Sequence, residues 1–552
     1  MNEIAKYWHT LRYLRPIQFW GRFIHLTARP PIPRSAPFSI RPGLGFHTRP
    51  VLRRQSMYDA DSFEFLNERR TPSAQHFWAD AEASLLWNYN LHYFDDLNSR
   101  DAGARRHWHK DLIRSWIEHN PPASRPGWDA YPTSLRIVNW IKYALGENFL
   151  DTATRSSLSN QVRWLNRRLE WHLLGNHLFA NAKALIFAGA FFDGTEADHL
   201  RKRGERIILR ELGEQILADG GHFERSPMYH AIILEDILDL LNLECGGRRI
   251  VSPRLEAILV DAASRMGAAL GVMTHPDGEI AYFNDAAIGI ASSPRDLQTF
   301  SQNLGIEAKS GTVVTGASKS ALSYRALENT GYGRLESQDA VVMIDVAPVG
   351  PDYLPGHAHA DTLSFELSLF GRRVIVNGGT SRYGSTRIRL EERQTDAHST
   401  VAIDGMDSSE VWGAFRVARR AYPIGLASHV GDDRIVVKCG HDGYRRLVGS
   451  PVHYRQWDLA ARHLVIEDMI APPKGHQATA KFNLHPSTSC RQSGTDCFEV
   501  LLDNGKVIQL TILKGVAKLA SGFYGAEFGR RMPIRSICVD LMEGCSRVKI
   551  DW

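Results

Sequence analysis

From about residue 105 to 305 the apolar positions recur at helical spacing. Leu135, Val138, Ile141 and Leu145 follow Thr133 and Ser134, which are expected to act as caps. Ile207, Ile208, Leu212 and Ile216 repeat the pattern, as do Ile233, Ile237, Leu240 and Leu241, with Pro121-Pro122 and Gly220-Gly221 as punctuation. An all-α array of helical hairpins is predicted there. Near residue 310 the texture changes to short alternating runs at 340–344, 374–376, 435–437, 464–466 and 507–510. Turns such as Asp404-Gly405 and Asp503-Asn504-Gly505 separate them. This predicts an antiparallel β-domain running to the C-terminus, with the boundary at 305–325. Within it, Phe365, Leu367 and Leu369 alternate with Ser364, Glu366 and Ser368, the pattern of a half-buried strand. Upstream, residues 30–60 are rich in Pro and Arg and predict an extended connector, followed by a dense aromatic stretch at 86–95.

Composition adds bounds. A chain of 552 residues is too long for one ordinary core and suggests two or three domains. A net charge of +5 is small for this size; it does not suggest a nucleic-acid binder but permits a local basic groove for an anionic ligand. The 13 Trp and 17 Tyr suit a polysaccharide cleft as well as a core. The six cysteines show neither CxxC nor zinc spacing; Cys490 and Cys497 could pair, but free thiols are the default. Residues 1–30 lack a clean apolar leader core, and no apolar run approaches the roughly 18 residues of a membrane span. A soluble, cytoplasmic chain is expected as given, or a periplasmic or secreted one if a leader was removed. Trp8, Leu11, Phe19, Trp20 and Phe23 among Arg12, Arg15 and Arg22 could form a basic amphipathic helix touching a membrane; packing onto the main body is the favoured expectation.

Four concentrations of polar residues carry candidate chemistry. Gly356-His357-Ala358-His359-Ala360-Asp361 places two imidazoles on a loop that feeds the 364–370 strand, where simple alternation would aim both at one face. Gly175-Asn176-His177 lies at or near a helix start. Residues 219–230 hold His222, Glu224, Arg225, Tyr229 and His230, and Ser226-Pro227 reads as the start of a helix. Singly, Asn176 reads as a cap, Tyr229 as a core tyrosine and His230 as a buried hydrogen-bonded histidine. Their concentration favours a groove floor. Arg387, Arg389 and Arg393, followed by Asp396-Ala397-His398, read either as a solvated basic face or as guanidiniums for carboxylates or sulfates.

With these motifs in this order, the chain resembles the heparinase II/III-like polysaccharide lyases. The matching residues are Gly175-Asn176-His177, the Tyr229-centred 223–230 stretch, Gly356–Asp361 and Arg393-Gln394-Thr395-Asp396-Ala397-His398. The resemblance implies an α+β multidomain fold. An N-terminal helix and connector (1–60) would precede an (α/α) toroid (61–310) and an antiparallel β-sandwich domain (311–552). It looks closest to the branch acting on glycosaminoglycans such as hyaluronan, chondroitin sulfate and heparan sulfate, and sometimes alginate. The implied partner is therefore an anionic uronic-acid polysaccharide, cleaved by β-elimination to 4,5-unsaturated uronates.

Such chemistry needs carboxylate neutralisation, a base at C5–H and an acid for the leaving oxygen. By resemblance, Asn176 with adjacent His177 would neutralise the carboxylate. Tyr229 would be the acid, and the base for one C5 epimer; His357 would be the base for the other. Glu224, Arg225, Arg389 and Arg393 would line subsites. His359 and His398 resemble ligands of a structural divalent metal, zinc or manganese. The third ligand position holds Asn377 where an acidic residue is expected, and a neutral amide is a weaker ligand. His357 is then expected to face the helical cleft and His359 to face inward beside His398, so the loop must turn between them. Two other readings remain. His357-x-His359-x-Asp361 superficially matches a metal-dependent hydrolase, though Thr362 stands where a further His is expected. A non-catalytic polysaccharide-binding or assembly protein in exopolysaccharide production would keep the motifs for ligand contact alone.

Overall fold

The computed structural model describes residues 3–28, 31, 36–146, 150–309, 313–315, 322–473 and 475–552. Two kinds of helix alternate in its first half. Ala130–Leu145, Gly175–Phe191 and Pro227–Asn242 are buried almost all round. Arg106–His119, Thr152–Arg167, Thr195–Gln215 and Pro253–Val272 bury one face and leave the other polar. That alternation is what an inner and an outer helical layer require. One core runs through both, from Trp87, Trp116 and Trp140 to Phe179 and Leu259. Thr133 and Ser134 are not caps. The helix begins three residues earlier, and Ser134 donates from within it to the Ala130 carbonyl at 2.9 Å.

The named strands of the second half pair antiparallel. A six-stranded meander places Val313–Thr315 at one edge and Arg372–Ile375 at the other, with Ala340–Asp345 and Phe365–Leu369 side by side within it. An eight-stranded sheet holds Arg434–His441, Val452–Ala460, His463–Ala471 and Val507–Lys514, and a four-stranded sheet contains Val401–Ile403 and Ala478–Asn483. Phe365, Leu367 and Leu369 meet Trp457, Ile466 and Phe482 in the core between sheets. Each such side chain contributes roughly 1.5–3 kcal/mol by leaving water. The domain junction placed at residues 310/311 lies outside the described residues.

The strand Phe365–Leu369 is buried on both faces, not one. Its polar face meets the helical half. His275 lies 2.8 Å from both Glu366 Oε2 and Ser368 Oγ, and Glu366 Oε1 accepts from the Tyr282 N–H at 3.2 Å. The alternation read as core against solvent is core against a second domain.

All six cysteines are free; Cys490 sits opposite Val500 and Cys497 opposite Thr511. Among the described residues no helix is long and apolar enough to cross a membrane. The N-terminus forms two helices, Glu3–Leu11 and Pro16–Thr27. They do not bury their aromatic stripe: Trp8, Phe19, Trp20 and Phe23 are 51–65% exposed. Packing onto the body is satisfied by the other face alone.

Candidate active site

The helical half supplies two side chains from first helical turns. Leu174 and Gly175 both have positive φ at the start of Gly175–Phe191, and a Cβ at Gly175 would run into Leu354 and lie 2.8 Å from Glu224. Only glycine allows this approach. The next residue, Asn176, points its amide nitrogen at the Glu224 carboxylate (3.4 and 3.5 Å) and at His357 Nε2 (3.3 Å). Ser226 caps the helix Pro227–Asn242 by accepting from the Tyr229 N–H at 3.1 Å, which places Tyr229 on its first turn. The Tyr229 hydroxyl lies 3.2 Å from that of Tyr383, and the ring stacks on His357 with centroids 3.8 Å apart. Enclosure, then the neighbouring phenols of Tyr383 and Tyr131, hold the Tyr229 phenol well above its ordinary value. His177, the next residue after Asn176, pairs with Glu170 at 3.2 Å and packs on Tyr131. Burial works against its charged form, but Glu170 and Glu224 outweigh that and raise its pKa.

The β-half supplies His357 and His359, and both imidazoles reach one buried carboxylate. Asp285, on the loop after Pro253–Val272, takes His357 Nδ1 on one oxygen (2.9 Å) and His359 Nε2 on the other (2.8 Å). Arg389 closes the cluster with a two-pronged bond to the same carboxylate, its Nη2 at 2.7 Å. Burial pushes the Asp285 carboxyl upward, yet Arg389 and the two imidazoles hold it well below its ordinary range. His357 thus keeps its Nε2 beside Asn176 and Glu224, while His359 is sealed from solvent and turns Nδ1 to His398 Nε2 at 3.3 Å. Burial, opposed by Asp285, lowers His359 to about 4. With Nδ1 held by Asp285, Nε2 is the His357 nitrogen left facing Asn176 and Glu224. Glu224 is buried against it, and that burial raises its carboxyl above the ordinary range despite the neighbouring imidazole.

Three guanidiniums expected at subsites are engaged within the protein. Arg225 binds the Thr330, Phe223 and Asn329 carbonyls; Arg393, wholly buried, binds those of Ala358, Gly413, Ala414 and Arg416; Arg389 is committed to Asp285. Arg389 and Arg393 brace the loops around the site from within, whereas Arg225 is half-buried and ties its loop to the 329–330 turn. His230 is likewise structural, held between the His222 N–H and the Met266 carbonyl.

The residues assigned to a divalent metal do not form a coordination set. Asn377 directs its amide oxygen to the Ser399 N–H (3.0 Å) and its nitrogen to Ser364 Oγ (3.2 Å), so the third donor is a neutral group already engaged. The facing nitrogens of His359 and His398 bond each other. Among the described residues no three His, Cys, Asp or Glu side chains converge on a metal position.

Asp285 and Tyr383 are absent from the sequence-level site. Asp285 is one acid in an aperiodic loop, and Tyr383 one aromatic among many. The only signal was their chain position next to Asn284 and ahead of the Arg387–Arg393 helix, which says nothing about contact.

The heparinase II/III N-terminus family matches residues 97–303, and the heparinase II/III-like C-terminal family matches residues 320–551. Heparin-sulfate lyase of Pedobacter heparinus is 27% identical over 247 residues, covering 42% of this chain and 36% of that protein. FtsZ-localized protein C of Caulobacter vibrioides is 25% identical over 327 residues, covering 55% of this chain and 52% of its own. These matches thus span about a third to a half of the curated relatives' length. A crystal structure of heparinase III superposes with a TM-score of 0.66 at 16% identity, over 86% of this chain and 78% of that one, a likeness of fold. The chain belongs to the heparinase II/III-like family.

Proposed function

We propose that this protein is a polysaccharide lyase that cleaves a uronic-acid glycosaminoglycan by β-elimination. The observation that carries the reading is the stacked pair of Tyr229 and His357, with His357 Nε2 beside Asn176 and Glu224 and Nδ1 held by Asp285. Asn176 donates to the substrate carboxylate, with the Glu224 carboxyl, which burial raises above its ordinary range, beside it. His357 Nε2 takes the C5 proton as the C5–H bond breaks. The electron pair forms the C4=C5 double bond, the C4–O bond breaks, and Tyr229 gives its phenolic proton to the departing oxygen. Asp285 stabilises the imidazolium that results. Tyr229 suits the acid role, because its raised pKa keeps it protonated at neutral pH. Its use as a base for the other epimer has less support, since burial and the neighbouring phenols hold its pKa well above the ordinary value.

The commitment of Arg389, Arg393 and Arg225 within the protein favours substrates recognised by carboxylate over densely sulfated ones. A second reading, a polysaccharide-binding or assembly protein on the same scaffold, draws on the likeness to a relative named for localisation and not for turnover. The hydrolase reading has little behind it, because Asp361 engages the Asn284 N–H at 2.7 Å. Incubation with hyaluronan, chondroitin, heparan sulfate and alginate separates these readings. Growing near-ultraviolet absorbance of an unsaturated uronate supports the lyase, with hyaluronan or unsulfated chondroitin turned over fastest. New reducing ends without that absorbance mean a hydrolase, and saturable binding with neither means a binding protein.

A further inference from the structure

The N-terminal hairpin takes no part in the chemistry above, yet it carries the densest exposed aromatic surface of the chain. Its inner face docks with specificity. Gln18 donates to the Tyr353 carbonyl at 3.1 Å, and the His25 ring lies 4.3 Å from that of His172. A Cβ at Gly21 would lie 2.9 Å from the His172 nitrogen. Tyr7 packs edge-on against Trp412, whose indole N–H donates to Thr10 at 3.1 Å. These contacts reach both the helical half and the β-half, so the hairpin is a fixed part of the body.

The outer face is apolar. Trp8 and Leu11 are exposed on the first helix, and Phe19, Trp20 and Phe23 on the second, with Leu26 beyond them. They are 42–75% exposed, and Leu14, Pro16, Phe19, Trp20 and Phe23 shape a shallow apolar concavity. Exposed aromatic and apolar side chains clustered in this way mark an interaction site. Charge identifies the occupant. Residues 3–28 carry Lys6, Arg12, Arg15 and Arg22 against Glu3 alone, three of the chain's five net positive charges in 26 residues. Arg15 is paired with Glu214, whereas Lys6, Arg12 and Arg22 have no ion pair among the described residues. A second copy would bring like charges together, while an anionic surface would neutralise them. Helices of 9 and 12 residues are too short to span a bilayer, and Trp and Phe flanked by Arg suit the headgroup layer.

We propose that the outer face of this hairpin is an interfacial anchor that seats the protein on an anionic phospholipid membrane. Flotation of the full chain with extruded vesicles, phosphatidylcholine alone or mixed with phosphatidylglycerol, tests it. The protein is expected to float with the anionic vesicles, less so as salt is raised, and to stay behind with the neutral ones. Trp8→Glu/Trp20→Glu should lower the bound fraction at least tenfold at an unchanged melting midpoint, because both side chains are exposed. Arg12→Glu/Arg22→Glu should abolish the preference for anionic lipid. Failure to float with either vesicle, or flotation of the tryptophan variant equal to wild type, overturns the proposal. So does a concentration-dependent dimer, seen by sedimentation, that Trp20→Glu dissolves, for then a second copy is the occupant.

Discussion

Asn176 and Tyr229 stand on the first turns of long buried helices, whereas His357 stands on a loop without a ladder of its own. The helical half of the site is therefore placed by local backbone: a glycine with positive φ before Asn176 and a serine cap before Tyr229. The β-half is placed from across the domain boundary, because Asp285 of the helical half holds both imidazoles of the motif. One half should survive loss of domain docking and the other should not. A reactive group on an irregular loop needs support of this kind if its geometry is to be kept.

The largest effect is expected at the shared carboxylate. Asp285→Asn leaves the Arg389 guanidinium buried without its counter-charge, which costs about 3–5 kcal/mol, and frees His357. Chemical denaturation should show that loss, with turnover down about 10²–10⁴-fold. A variant of native stability and native turnover would dissolve the contrast between the halves. Tyr229→Phe sharpens the contrast from the other side. It should remove about 10²–10⁴ of turnover while substrate affinity and the melting midpoint stay near wild type, because the helix cap uses the backbone N–H of Tyr229 and not its hydroxyl. Wild-type turnover there would end its assignment as the acid.

A smaller, pH-dependent effect belongs to His177. Its raised pKa means the Glu170 pair stabilises the fold fully below the ordinary imidazole value of ~6.5 and loses that contribution as pH rises through the folded value. His177→Gln should therefore lower stability at pH 6 more than at pH 8. For a partly exposed pair the difference should stay below ~1 kcal/mol. Equal losses at both pH values would mean that the ring matters only by packing on Tyr131. The smallest effect is expected from chelation. With the Asn377 amide engaged by Ser399 and Ser364, dialysis against a chelator should leave the melting midpoint unchanged. A stoichiometric divalent ion in the purified protein, with a drop in midpoint on its removal, would restore a metal to the β-domain.

Much of the molecule could be read without coordinates. Helical period, strand alternation and the Ser226-Pro227 start are local signals, since 3.6- and 2-residue repeats reflect which face each side chain takes within its own element. The misreadings share one cause. Arg389 and Arg393 looked like groove cations because charged side chains are usually solvated, and only the packing of distant loops shows that they are enclosed. Ser364, Glu366 and Ser368 looked like a solvent face because a strand pattern cannot say what covers its polar side. The aromatic stripe at the N-terminus looked like core for the same reason.

The sequence by itself determined the helical and β regions, the four motifs and the turns that place Asn176 and Tyr229. Tertiary structure alone decided that His357 and His359 share Asp285, that Arg389 neutralises it, that the Asn377 amide is turned to Ser399 and Ser364, and which face of the N-terminal hairpin is left to the outside. The physical reason is range. Hydrogen-bonded turns and side-chain periodicity act within a few residues, whereas burial and charge pairing depend on neighbours brought together from far along the chain: 104 positions separate Asp285 from Arg389, and 181 separate Asn176 from His357.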